Sequence, residues 1–214
     1  MRLLLVAMLS MSILAACAGH QGDWSVVGGP QVIENEGIEV EWPRGWMKFT
    51  AARSNEQASK EGWLLTVTRD GENLQAMILK KRTIEQGFTN TQKKAAPKIS
   101  PHELAELVLD DLRANPHFND IQVVEDSPTT LDGDPGYKMV IRYRSKAGLP
   151  RQAVHYGCIH TGLLYMLSYD APQRHYYALD LPTFEAVKNS LKWKVREVLS
   201  SRHIYERAYH ARTR

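Results

Sequence analysis

Two short turns near the middle of the chain constrain its fold most. Leu131-Asp132-Gly133-Asp134 and Thr161-Gly162 each separate segments in which apolar side chains recur at every second position. Tyr137, Met139, Ile141 and Tyr143 form one aromatic-aliphatic face, with Lys138, Arg142 and Arg144 mostly opposite. Residues 151–160 and 163–170 flank Thr161-Gly162 as the two arms of a hairpin. A period of two belongs to a strand with unlike faces, and strands joined by tight turns run antiparallel. An antiparallel sheet with an apolar face needs a layer to cover it.

The rest of the sequence supplies more strands and the covering helices. From Val32 the period is again two: Ile38, Val40 and Trp42 alternate with Glu39 and Glu41. Pro43-Arg44-Gly45 interrupts, and Trp46 to Phe49 resumes. Residues 50–61 are polar and read as a loop. Trp63, Leu65 and Val67 form a strand, Asp70-Gly71 marks a tight hairpin, and Leu74, Ala76 and Ile78 carry the next strand. Residues 85–99 lack periodicity and read as a long loop.

Ser100-Pro101-His102-Glu103 then reads as a helix start, with Ser as N-cap, Pro in the first turn and Glu completing a capping box. Leu104, Leu107, Val108 and Leu112 share one face, and Asn115-Pro116 stops the helix. Ile121, Val123 and Glu125 alternate before Pro128. Asp180 is expected to cap a last helix bearing Phe184, Val187 and Leu191. The order of strands, helix, strands, helix specifies an α+β domain, an antiparallel sheet flanked by helices in an α/β/α sandwich.

The chain has 214 residues, 43% of them hydrophobic, with 27 Lys and Arg against 24 Asp and Glu. That is an ordinary globular composition for one domain, and a net charge of +3 gives no reason to expect nucleic-acid binding. The organisation divides into residues 1–16, 17–30, 31–194 and 195–214.

In the first segment Arg2 precedes an apolar run from Leu3 to Ala16 that is too short to span a bilayer and reads as a secretory signal peptide. It ends Leu14-Ala15-Ala16-Cys17, which resembles the lipobox of bacterial lipoproteins. The resemblance implies cleavage before Cys17 and acylation of its thiol; the alternative is an ordinary signal peptide with a cysteine near its end. Ala18 follows, not the Asp that marks inner-membrane retention in such lipoproteins, so the implied address is the outer membrane, facing the periplasm. Residues 17–30, with Gly28, Gly29 and Pro30, read as a flexible tether.

Gly37-Ile38 before a strand, Trp42-Pro43-Arg44-Gly45-Trp46, the Leu131-Asp132-Gly133 turn, the Tyr165 to Tyr169 arm, and Phe184 followed by Asn189-Ser190-Leu191 together resemble the PsbP/DcrB-like superfamily over roughly residues 31–194. The resemblance implies an antiparallel sheet with flanking helices and a non-catalytic binding or assembly role, with no catalytic motif and no cofactor. Residues 195–214 extend beyond it. Their arginines admit two readings, a solvated terminal helix or a basic amphipathic one that touches anionic envelope polymers or headgroups.

Function is written less legibly. No G-x-S-x-G elbow and no phosphate-cradling glycine motif occurs. His155-Tyr156-Gly157-Cys158-Ile159-His160 is the densest run of metal-binding residue types, but in a strand Cys158 and His160 face one side and His155 the other. Cys158 is then a buried small hydrophobe, a reactive thiol, or with His160 part of a metal or catalytic site in a small envelope enzyme. Lys80-Lys81-Arg82 and Lys93-Lys94 with Lys98 form a positive patch, read as a solvated loop or as a docking surface for an acidic partner. Trp46, after a Pro-Arg-Gly turn, is the tryptophan expected to line a cleft. The expected contacts are the membrane, through Cys17, and an envelope protein or other envelope component.

Overall fold

The computed structural model describes residues 24–33, 37–49 and 61–194. Its strands are β1 (Trp24–Val26), β2 (Pro30–Ile33), β3 (Ile38–Glu41), β4 (Met47–Phe49), β5 (Trp63–Thr68) and β6 (Ala76–Thr83), followed by helix α1 (Pro101–Ala114). Then come β7 (Phe118–Leu131), β8 (Asp134–Ser145), β9 (Pro150–His160) and β10 (Leu163–Pro172), helix α2 (Tyr176–Ser190) and β11 (Lys192–Trp193). Eight strands make one antiparallel sheet in the order β1-β4-β5-β6-β10-β9-β8-β7, and β11-β3-β2 make a second, smaller one.

Antiparallel sheet dominates the molecule, and each helix covers only part of a face. Phe184 and Val187 of α2 pack with Val154, Cys158, Leu167 and Tyr169 on one side of the large sheet, where Ile38 and Val40 of the small sheet join them. Leu104 and Val108 of α1 pack with Tyr137, Met139, Ile141 and Tyr143 on the other. The flanking-helix expectation therefore holds in coarse form, with a second sheet sharing one face.

Local signals placed most elements. Asp132-Gly133 and Thr161-Gly162 turn the β7–β8 and β9–β10 hairpins with four positive φ angles, as two-residue turns require. Ser100 caps α1 with the full capping box, and Asn115 closes it. Several expectations are corrected. The Asp70-Gly71 turn is a loop rather than a tight hairpin, because β5 stops at Thr68 and β6 starts at Ala76. In β6 the α2 side of the sheet receives Met77 and Leu79, while Leu74 lies before the strand and is exposed. Residues 85–99 do form a loop, yet Phe88 and Ala95 are buried under α1. Bulges at Asn119/Gln122 and Val123/Glu125 break the alternation of β7, so Val123 and Val124 both stay exposed.

Pro128 does not end β7; it sits inside it, tolerated because β7 is an edge strand. Asp180 is no cap. The helix α2 starts at Tyr176, and Asp180 is buried one turn in, accepting from Arg69 at 2.8 Å and from Gln75 at 3.2 Å. The stretch read as tether is partly sheet, since Trp24–Val26 pair with β4. Cys17, most of the polar loop 50–61, and residues 195–214 lie outside the described residues.

Candidate functional site

The two hairpin turns end side by side, because β8 and β9 pair with Gly136 opposite Cys158. Two residues further along that register, Asp134 faces His160, and Nδ1 of His160 lies 2.6 Å from Oδ2 of Asp134. The small sheet brings β11 onto the same place. The indole of Trp193 stacks on the imidazole of His160 at 4.2 Å between centroids and 10° between planes. Tyr165 tilts against both rings. Asp132, in the β7–β8 turn, accepts from the Trp193 backbone N–H and from Nζ of Lys192, each at 2.8 Å. The Lys192 hydrogen bond, and after it the backbone one, hold the Asp132 carboxyl below its ordinary range.

Cys158 lies beneath this cluster with 0% exposure. Burial, then the charge of Asp134, push its thiol up to about 12. A thiol so placed is neither a nucleophile nor a ready metal ligand at neutral pH. Among the described residues no group of three or more His, Cys, Asp and Glu is placed to hold a metal ion. His155 faces the opposite side of the sheet, as alternation requires. Its buried Nε2 has no hydrogen-bond partner, and burial beside Lys80 lowers it to about 4.

The other predicted site residues fall elsewhere. Trp46 is core, not cleft: it is buried, with the Arg69 guanidinium 5.8 Å from its ring centroid. Lys93 is exposed and pairs with Asp110 at 2.7 Å. Lys94 and Lys98 are exposed beside it. A mostly apolar cavity of about 280 Å³ opens between the first turn of α1 and β7, over Tyr137 and Pro128. It is on the face away from His160.

No protein-family profile and no curated protein matches the sequence. Solved structures do match the shape. The PsbP protein CyanoP of the cyanobacterium Synechocystis superposes at a TM-score of 0.55 with 13% identity, over 83% of this chain and 98% of that one. The fold is PsbP-like. Two structures at lower scores are LpqN of Mycobacterium tuberculosis, described as involved in cell envelope biogenesis, and the yeast Ran-binding protein Mog1p. LpqN superposes at 0.48 with 15% identity over 81% of this chain and 91% of its own. Mog1p does so at 0.47 with 9% identity over 79% and 96%.

Within this PsbP-like fold Asp132, Asp134, Lys192 and Trp193 are the cluster members that strand alternation alone did not single out. One signal for them was present, since two X-Gly turns on neighbouring strands put Asp134 opposite His160.

Proposed function

We propose that this protein is a non-catalytic binding or assembly module of the cell envelope, anchored by acyl chains on Cys17 and facing the periplasm from the outer membrane. The observation that carries the non-catalytic reading is the His160 cluster. Its charged and aromatic members are engaged with one another: His160 with Asp134 and Trp193, Asp132 with Lys192 and the Trp193 backbone. They fasten the end of the small sheet to two hairpin turns, which is the work of a clamp. The sealed Cys158 agrees with this and speaks against the alternative of an enzyme or metal site at Cys158 and His160.

Anchoring rests on the lipobox, and the outer-membrane address on the absence of Asp after Cys17. The partner contact is assigned to the exposed loop carrying Lys93, Lys94 and Lys98. Lys93 is partly compensated by Asp110, so Lys94 and Lys98 would steer an acidic surface. Trp46 drops out of this contact because it is buried.

In-cell cross-linking of the tagged full chain, followed by mass spectrometry, tests the reading. A reproducible envelope partner that disappears in the Lys94→Glu, Lys98→Glu double variant supports it. Unchanged capture by that variant removes the loop from the contact, and no reproducible partner overturns the module reading. Cys17→Ala should abolish acyl incorporation; persistent incorporation overturns the anchor.

A further inference from the structure

The large sheet ends on one side in β1, a three-residue strand exposed along its whole length. Trp24 is 40% and Val26 64% exposed. Two residues apart on a strand, they project to the same side. The Trp24 ring rests against Phe49 of β4 at 5.2 Å. The next residue, Val27, is buried, and its backbone is bonded to Trp46 at 2.7 Å and to Gly45 at 3.1 Å. The strand is therefore pinned in place while its apolar side chains face outward.

Cations flank this corner. Lys48, opposite Ser25 in β4 and so on the other face of the sheet from Trp24 and Val26, gives its ammonium to the neutral side chain of Gln31 at 2.5 Å. Arg44 is exposed, with its guanidinium over Gly29. Acids lie here too: Glu41 stands opposite Pro30, and Asp23 immediately precedes Trp24 in the sequence.

We propose that this β1 corner is the face the domain lays on an anionic bilayer surface, with the Trp24 indole at headgroup level. The inference rests on the reading of Cys17 as acylated. Trp24 follows Cys17 by seven residues. At full extension that stretch spans at most about 25 Å. The acyl chains would thus hold β1 close to the surface, while β7 lies at the opposite edge of the sheet, seven strand spacings or roughly 30 Å away. Tryptophan is the side chain best suited to the interface, with an apolar body and one N–H donor, and basic neighbours add attraction to anionic headgroups.

The test uses the full chain purified from membranes and reconstituted in anionic vesicles. Some vesicles carry lipids brominated near the glycerol end of the acyl chains, others lipids brominated near the chain ends. Tryptophan emission should be quenched more strongly by the shallow bromines, and Trp24→Phe should abolish the quenched component. Trp24 is at an exposed edge, so this replacement leaves the core intact. Equal quenching of wild type and Trp24→Phe, or none in either, overturns the proposal. Mass spectrometry of the same sample separates the two failures. Acylated Cys17 without Trp24 quenching removes only the surface contact, whereas an unmodified Cys17 removes the anchor and this contact with it.

Discussion

Cys158 and His160 are two residues apart, and their different surroundings set different expectations for each. With the thiol at 0% exposure and raised to about 12, Cys158 is expected to resist modification. In the Cys17→Ala chain a thiol reagent at pH 8 should find no reactive group in the native state and one after denaturation. Rapid native labelling would restore Cys158 as a chemical candidate. His160 matters through what it holds. His160→Ala removes the stacking on Trp193 and the bond to Asp134. Partly exposed interactions of this kind are worth about 1–2 kcal/mol together. Urea unfolding should register that loss, with a change in Trp193 emission, and an unaltered midpoint would mean that the cluster is ornament rather than clamp. Asp132 adds a pH sign of its own. Its folded pKa is depressed, so its stabilising contribution is present above the ordinary carboxylate value and is lost as pH falls through the folded one.

At the scale of elements, the first turn of α1 is the cleanest case of a local rule obeyed. Ser100 accepts from the Glu103 backbone at 3.3 Å, and the Glu103 carboxylate accepts from the Ser100 N–H at 2.9 Å. Ser100→Ala should lower stability by about 1 kcal/mol, read from chemical denaturation, and leave the fold intact. The same locality explains which elements could be read in advance. Thr161-Gly162 and the Ser-Pro-x-Glu start act within a few residues, so sequence alone places them. The alternation in β8 was equally legible, because Tyr137, Met139, Ile141 and Tyr143 all turn to α1. What escaped depends on distant chain. Asp180 has the residue type of a helix cap, but Arg69, 111 positions away, reaches in from an exposed position to pair with it, and the cap position falls to His175. Trp193 meets Asp132 across 61 positions, a contact no periodicity encodes. The bulges of β7 add residues that shift alternation midway, so Val123 is exposed instead of continuing a regular face.

For the molecule as a whole, one half-buried base, with its Nε2 sealed from solvent, should contribute to the acid side of stability. His155 lies on the α1 face of the sheet, with Lys80 of β6 near it and Asp170 and Arg151 further along β10 and β9 on the same face. Burial, then the charge of Lys80, lower its pKa from 6.5 to about 4. The unfolded chain therefore binds the proton more readily than the folded one between those values. Stability is complete above the unfolded value near 6.5 and falls as pH drops towards 4, below which the difference saturates. A shift of that size corresponds to at most about 3 kcal/mol. Asp170 opposes part of this: burial raises its carboxyl, so its contribution is fully present below the ordinary carboxylate value and is lost as pH rises through the folded one. The two contributions separate by substitution. His155→Leu removes the titrating base and the unpaired Nε2 together, so it should be more stable than wild type at pH 5 and less pH-dependent between 4 and 6.5. Urea titrations of both chains across that window decide the matter. Parallel curves would place the imidazole in contact with water, and the acid sensitivity of the fold would then belong to its carboxylates.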